Sequence, residues 1–147
     1  MQATWTSTAL ARLRDASGRS GAARRLVVEL VGEQECCLSA LEIHDRVRSR
    51  GSRIGIASVY RTLDGLDALG LVQRIDLGDG VARFEPAHAG GDHHHHLVCD
   101  DSGKVEPFED PSLESAIERV ATGRGYAVAA HDVVLRGACE DCRHDGE

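Results

Sequence analysis

The densest run of metal-binding side chains lies just past the middle of the sequence, where residues 93–96 are four consecutive histidines. Neutral imidazole is the commonest protein ligand for metal ions. The β-favouring residues that follow predict a strand, in which alternate side chains point to opposite faces. His94 and His96 would form a first pair on one face, and His93 and His95 a second pair on the other. A histidine-rich loop or an expression tag is the alternative, because short histidine tracts are only a compositional signal.

The five cysteines supply a second kind of ligand. Cys139 and Cys142 form a C-x-x-C pair, which is half of a common four-thiolate zinc site. Cys99 has the place of the other half, but Ser102 stands where its second cysteine is expected. A carboxylate, a histidine or water could supply the fourth ligand, or the serine could leave the site weak or empty. It is equally open whether Ser102 is natural or introduced.

Side chains elsewhere in the sequence can complete the two histidine pairs. Glu85 and His88, and one cysteine of the Cys36-Cys37 pair, are candidates to join the first pair. Glu114 and His131 are candidates to join the second. Three histidines and one carboxylate form a normal ligand set for zinc or ferrous iron.

The first half of the chain has the sequence pattern of a winged helix-turn-helix. Apolar residues recur at spacings of three and four in helices and alternate in strands. Ser39 and Glu42 form a capping box at the start of one helix. The predicted helices cover residues 8–14, 22–31, 39–51 and 56–69, and the predicted hairpin strands cover residues 71–77 and 81–85.

The second half has the pattern of a small α+β unit. An antiparallel strand over 104–108 should pair with the histidine strand, Pro111 should open a helix, and a last strand should cover 126–136 and carry His131. The α+β chain is therefore divided into a DNA-binding domain (1–86), a linker (87–92) and a dimerisation and metal-binding domain (93–147). A unit of roughly 55 residues is near the lower limit for stability by burial alone, so we expect a metal or a dimer partner to support it.

Charge divides between the halves. Residues 1–75 carry 11 arginines against 8 acidic residues, a balance of +3, whereas residues 76–147 have a balance of −10. A basic module suits phosphates, and an acidic module suits cations. On the helix over 56–69, the polar side chains near the start are predicted to contact DNA, namely Ser58, Tyr60, Arg61 and Thr62. Further arginines are candidates for phosphate contacts, namely Arg24, Arg25, Arg46, Arg48, Arg50 and Arg53.

The composition predicts a soluble, cytoplasmic protein. Hydrophobic residues make up 41% of the chain, which is enough for a core, but no apolar run approaches the roughly 20 residues that span a bilayer. The first residues lack the basic and apolar segments of a signal peptide. Without an export signal, an odd number of cysteines with a C-x-x-C pair indicates metal binding rather than disulfides.

Four motifs together resemble the ferric uptake regulator family of bacterial metal-dependent repressors. They are residues 57–63 (ASVYRTL), residues 93–99 (HHHHLVC), residues 103–105 (GKV) and the C-x-x-C of residues 139–142, in the order that the family has. The resemblance covers nearly the whole chain. It implies a homodimer with an N-terminal winged helix and a C-terminal α+β dimerisation domain, which binds palindromic double-stranded operators when loaded with metal.

The resemblance also implies the ligands of three metal sites. The sensing site would fall on Glu85, His88, His94 and His96, with Cys37 as a further candidate where family members often have a histidine. The second site would fall on His93, His95, Glu114 and His131. The structural zinc would fall on Cys99, Cys139 and Cys142, and Ser102 departs from the family pattern.

The identity of the sensed metal is inferred from the chemical types of the predicted ligands. Histidine, carboxylate and thiolate donors favour zinc over ferrous iron, so a zinc-sensing repressor of metal-uptake genes is predicted, similar to the zinc uptake regulator branch. Iron-, manganese- and peroxide-sensing members of the same family are the alternatives, with ferrous iron or manganese at the sensing site. A zinc hydrolase would need a general base beside the metal, and no H-E-x-x-H motif is present. A metal-storage protein would not need a winged helix.

Overall fold

The computed structural model describes residues 2–17, 21–34, 36–87 and 94–144. His88 and His93, two of the predicted ligands, lie outside the described residues. The chain divides into two compact units, Met1–Asp92 and His93–Glu147. Among the described residues, no helix has the length and apolar content that crossing a bilayer requires.

The first unit packs helices against a small sheet. Its elements are α1 (Gln2–Ser17), α2 (Ala22–Glu33), β1 (Leu38–Ser39), α3 (Ala40–Ser49), α4 (Ile56–Ala68), β2 (Val72–Asp76) and β3 (Ala82–Pro86). The strand order is β1-β3-β2, with antiparallel pairing throughout. Helices α3 and α4 form the helix-turn-helix, and the β2–β3 hairpin forms the wing.

A closed apolar core holds the first unit together. Its fully buried side chains come from four helices, and most of them recur at the spacings of three and four that the sequence predicts. They include Val27 and Leu30 on α2, Ile43 on α3, and Leu63 and Leu66 on α4, all 0% exposed. Each such side chain contributes about 1.5–3 kcal/mol by leaving water. The position of α4, and so of its polar face, is therefore fixed by this core.

Local signals set the ends of the two helices in the helix-turn-helix. The Ser39 hydroxyl accepts from the Glu42 backbone N–H at 3.2 Å, and the Glu42 carboxylate accepts from the Ser39 N–H at 3.2 Å, so the predicted capping box is confirmed. Helix α4 is followed by Gly70 with φ +69°, a left-handed conformation that glycine adopts without steric cost.

The second unit is built around one central strand. Its elements are β4 (His95–Cys99), β5 (Val105–Phe108), α5 (Pro111–Gly123), β6 (Val134–Gly137) and α6 (Glu140–His144). Strand β4 lies between β5, to which it is antiparallel, and β6, to which it is parallel. Pro111 lies in the first turn of α5, as the sequence predicts, and the Asp110 carboxylate caps the helix. The predicted α+β class is confirmed.

The predicted strand over 126–136 is wrong in most of its length. Only residues 134–137 form a strand, and His131 lies in the segment before it. Tyr126 and Val128, which the prediction placed in a sheet, are 72% and 50% exposed. The parallel pairing of β6 with β4 begins at Val134, so residues 126–133 lie outside the sheet. Leu41 lies on the outer face of α3 at 62% exposure.

Candidate metal centres and nucleic-acid interface

Two imidazoles and a carboxylate meet inside the second unit. His95 on β4 places its Nε2 atom 2.5 Å from Oε1 of Glu114 on α5. His131, in the segment before β6, places its Nε2 atom 2.7 Å from the other oxygen of the same carboxylate. The three side chains offer ligand atoms that all lie within 4.8 Å of one another. This donor set suits zinc or ferrous iron.

The contacts within this cluster set the pKa of Glu114 and the tautomer of a neutral His95 ring. Burial raises the pKa of Glu114, but hydrogen bonds and charge from His95 and His131 outweigh it, so the pKa lies below its ordinary value. The Val133 backbone N–H donates to His95 Nδ1 at 3.2 Å, so a neutral ring carries its hydrogen on Nε2, facing Glu114. A histidine that binds metal through Nε2 ordinarily donates its Nδ1 hydrogen. Metal bound through Nε2 would therefore change the contact between His95 and Val133.

The three cysteines of the second unit also converge. Cys99 ends β4, Cys139 precedes α6 and Cys142 lies on α6, and their sulfur atoms all lie within 4.8 Å of one another. Backbone N–H groups of Ser102 and Cys139 donate to Cys99 Sγ at 3.4 and 3.3 Å. Such donors stabilise a thiolate, and thiolate is the form that binds metal. Three sulfurs fit three of the four positions of a tetrahedral zinc ion.

Ser102 supports Cys99 at the position where the fourth cysteine was expected. Hydrogen bonds from its hydroxyl and from the backbone N–H groups of Cys139 and Ser102 lower the pKa of Cys99 to about 6. Cys142 behaves in the opposite way, because hydrogen bonds with Cys139 and Cys99, together with burial, raise its pKa to about 11. At neutral pH the metal-free cluster therefore holds Cys99 as a thiolate and Cys142 as a thiol.

The structure describes three of the four residues predicted for the sensing site, and each belongs to one of the two units. In the first unit, Glu85 is on β3 and only 6% exposed. In the second, His94 precedes β4 and His96 lies on it, and their ring centroids are 5.1 Å apart. The prediction that His94 and His96 share a face of the strand is confirmed.

Cys36 and Cys37 stand immediately before β1 in the first unit. Their sulfur atoms are 3.8 Å apart, and Cys37 is 4% exposed. The contact with Cys36, burial and the negative charge of Glu85 all raise the pKa of Cys37 above its ordinary value, whereas Arg83 opposes them. All five cysteines lie in the described part of the chain, and none of them is in a disulfide.

Helix α4 presents part of the predicted DNA-reading set to solvent. Tyr60 is 47% exposed, and Arg61 is exposed with a guanidinium that donates to the Ser58 hydroxyl at 3.1 Å. Thr62 is different, because it is 6% exposed and its hydroxyl donates to the Ser58 carbonyl oxygen at 2.9 Å. Its spacing from the buried Val59 was the signal for this, since a residue three positions along a helix lies on the same face.

The arginines that were predicted to contact phosphates differ in whether they already have a partner within the first unit. Arg50 pairs with Glu33 at 2.6 Å, and Arg46 donates to the Gln34 side chain at 2.5 Å. Two side chains of α3, His44 and Arg48, and two of the turn that follows it, Ser52 and Arg53, line a cavity of about 430 Å³. The two arginines of this cavity are the better candidates for phosphate contacts, because the first two already have partners within the unit.

Several known proteins are similar to this chain in sequence and in fold. The model of the ferric uptake regulator family matches residues 16–136. The ferric uptake regulation protein of Neisseria gonorrhoeae is 31% identical over 139 residues, which are 94% of this chain and 95% of that protein. The Vibrio cholerae ferric uptake regulator is 33% identical with a TM-score of 0.74, over 86% of this chain and 96% of that one. The Helicobacter pylori regulator, described as having three functional metal binding sites, is 26% identical with a TM-score of 0.78, over 94% and 93% of the two chains.

Proposed function

Because this chain belongs to the ferric uptake regulator family, we propose that it represses metal-uptake genes when zinc is bound. Proteins of this family are metal-responsive transcriptional regulators and not enzymes. The observation that supports the proposal best is that one chain carries an exposed Tyr60-Arg61 edge on the second helix of a helix-turn-helix and two separate clusters of metal donors. Neither a metalloenzyme nor a storage protein requires both.

DNA contact would be made through α4. The second helix of a helix-turn-helix enters the major groove with its first residues at the base edges. Arg61 is the side chain of the exposed set that can bond guanine through two parallel hydrogen bonds. Arg48 and Arg53, beside the turn, would bind phosphates and hold the helix in register. We leave Thr62 out of the contact set because its side chain is buried.

The sensing ligands are proposed from the sequence. They are Glu85, His88, His94 and His96, with Cys37 as an additional ligand. A bound divalent cation supplies the positive charge that holds imidazole, carboxylate and thiolate donors together. The buried Glu85 and the paired rings of His94 and His96 are compatible with this role.

The other two donor clusters would support the second unit. His95, Glu114 and His131, with His93, form the proposed second site, and Cys99, Cys139 and Cys142 form the proposed structural zinc site. Three sites would match the number described for the Helicobacter pylori regulator. Because both clusters join segments far apart in the sequence, their occupation should stabilise the unit more than it changes DNA contact.

A second copy of the chain is the proposed partner of the second unit. Large apolar side chains are exposed there, with Val120 at 61%, Tyr126 at 72% and Leu135 at 51%. None of the residues of α5 is buried within the single chain. A twofold dimer that covered this surface would present two copies of α4 to two half-sites, so the proposed operator is palindromic.

The direct test is DNA binding by protein stripped of metal and reloaded with one metal at a time. A duplex selected from a random library by the zinc-loaded protein serves as the probe. Zinc should restore binding at a lower free concentration than ferrous iron or manganese. If none of the three metals changes affinity for any selected duplex, the chain is not a metal-dependent repressor. The variant His94→Ala/His96→Ala should lose the response to zinc, whereas Leu41→Ala, on the outer face of α3, should keep it.

A further inference from the structure

Cys36 and Cys37 form a pair of neighbouring thiols in the first unit, apart from the thiol cluster of the second unit. The two residues are adjacent in the sequence, immediately before β1, and their sulfur atoms are 3.8 Å apart. Cys37 is buried and Cys36 is half-buried. Among the described residues, neither belongs to the apolar cluster that forms the core of the first unit. Cys37, at 4% exposure, therefore lies buried beside that cluster without belonging to it, and Cys36 is only half-buried.

The distance between the sulfurs suits two ligands of one tetrahedral ion. Metal–sulfur bonds of about 2.3 Å at a tetrahedral angle hold two sulfurs about 3.8 Å apart. The observed separation of 3.8 Å agrees with that value. A disulfide requires about 2.05 Å, and an ion bound in a straight line between the sulfurs would require about 4.6 Å at the same bond length.

A carboxylate stands beside the pair in the same unit. Strand β1 pairs with β3 so that Leu38 lies opposite Phe84 and Ser39 opposite Arg83. Continuing this register by one residue places Cys37 beside Glu85, and the charges of Glu85 and Arg83 both act on the Cys37 thiol. Glu85 is only 6% exposed. A buried carboxylate next to two thiols concentrates donors that a divalent cation can satisfy.

We propose that Cys36 and Cys37 together bind one tetrahedral d10 divalent cation of the zinc class, with Glu85 as the neighbouring carboxylate. Each thiol releases its proton to solvent as its sulfur binds, and no electron is transferred. Thiolates are soft donors that select zinc over manganese and ferrous iron. This proposal rests on the proposed function, because it assumes that the chain is a metal-responsive regulator. It adds the class of metal to which that regulator responds.

Cobalt(II) binding to the full-length, metal-free protein counts the thiolates directly, because sulfur-to-cobalt charge-transfer absorbance grows with each sulfur bound. The wild type should show five bound thiolates, Cys36→Ser and Cys37→Ser four each, and Cys36→Ser/Cys37→Ser three. Cys142→Ser is the matched control, since it removes one thiolate from the second unit and should add to the loss in the double variant. Wild-type absorbance in Cys36→Ser/Cys37→Ser overturns the proposal.

Zinc affinity and metal preference provide the second readout. Loss of both thiolates should weaken zinc binding at the first unit by more than the about 10–100-fold that loss of an outer-shell partner costs. In DNA-binding titrations, the preference for zinc over manganese should fall by a similar factor in Cys36→Ala/Cys37→His, which keeps one ligand without its softness. Cys36→Ser/Cys37→Ser nearly conserves side-chain volume and should keep the wild-type circular dichroism spectrum in the metal-free form. Cys37 is 4% exposed, so the larger ring in Cys36→Ala/Cys37→His should lower the melting temperature, and the ratio of its zinc and manganese responses is therefore the readout.

The outcomes separate the two proposals. If Cys36→Ser/Cys37→Ser binds DNA in response to zinc and manganese as the wild type does, the paired site is refuted and the regulator stands. If the wild type shows five cobalt-bound thiolates but binds no selected duplex with any metal, the regulator is refuted and the paired site stands.

Discussion

The two units of this chain are held together by different means. In the first, the fully buried positions of the core are filled by Ala9 on α1 and by Val, Leu and Ile side chains from α2, α3 and α4. In the second, the buried residues within the described range 94–144 are His95, His96, Val98 and Cys99, so that most of them are potential metal ligands. The first unit can be stable by removal of apolar surface from water. The second places ligands where a core would be, and its stability should depend on metal and on a partner.

Removing metal should have the largest effect, and it should affect the units unequally. Structural zinc in small peptides binds with an apparent free energy of about 10–16 kcal/mol, which becomes folding free energy. Chelation should therefore abolish amide hydrogen-exchange protection in β4 and β6 while α2 and α4 remain protected. Equal loss in both units would show that they do not differ in this way. Calcium added in place of zinc is the control, since it should not restore protection.

A cavity in the core of the first unit should give the next largest effect. Leu63→Ala removes a side chain that is 0% exposed, and such changes cost about 2–5 kcal/mol. Leu41→Ala, at 62% exposure, is the matched control and should change stability by less than about 0.5 kcal/mol. Urea denaturation of the metal-loaded protein measures both. If the two variants unfold at the same urea concentration, the apolar core does not carry the stability of this unit.

Arg61→Ala should separate DNA reading from metal binding. Loss of a base contact weakens DNA binding by about 1–3 kcal/mol and relaxes specificity at one base pair. Zinc content should not change, because the ligand clusters of the second unit do not include α4. Arg50→Ala is the control, since Arg50 already pairs with Glu33. Fluorescence anisotropy with a selected duplex and with single-base variants of it provides the measurement, and an unchanged sequence preference would place Arg61 among the phosphate contacts or bystanders.

The smallest expected effect is a difference in thiol reactivity between the two units of the metal-free protein. A pKa of about 6 keeps Cys99 as thiolate at neutral pH, so its alkylation rate should fall only as the pH drops through about 6. Cys37, whose pKa is raised, should stay unreactive over the same range. Iodoacetamide labelling resolved by peptide mass spectrometry follows each thiol. Ser102→Ala should move the Cys99 midpoint upward, because the Ser102 hydroxyl is the largest cause of its low pKa; an unmoved midpoint contradicts that role.

Features set by neighbouring residues were predictable from the sequence. The capping box needs only Ser39 and Glu42, three residues apart, and the common face of His94 and His96 follows from the period of a strand. Thr62 was predicted to contact DNA and its burial contradicts that prediction, although the signal was equally local, because Val59 and Leu66 lie three and four residues away on the same face of α4. The convergence of Cys99 with Cys139 and Cys142 came instead from the resemblance and the C-x-x-C pattern.

Features set by distant partners were not predictable. Arg46 and Arg50 resemble their neighbours in sequence, yet Gln34 and Glu33 on another segment engage them. The segment 126–133 favours strand by composition, but only the pairing available beside β4 decided where the strand begins. The short distance between the sulfurs of Cys36 and Cys37 could be seen only from the side-chain positions. Adjacent residues in an extended segment ordinarily point apart, so the sequence alone predicts no such contact.

The parallel pairing of β4 with β6 also has a consequence for the order of folding. It brings Cys99 opposite Gly137 and next to Cys139, 40 residues further along the chain. Closing a loop of that length costs about 3 kcal/mol of chain entropy before any strand contact is made, and such non-local pairings form slowly. Because ligands stand at both ends of this loop, metal present during synthesis should close it early. The second unit should therefore refold faster as zinc concentration rises, while the first folds at a rate independent of it.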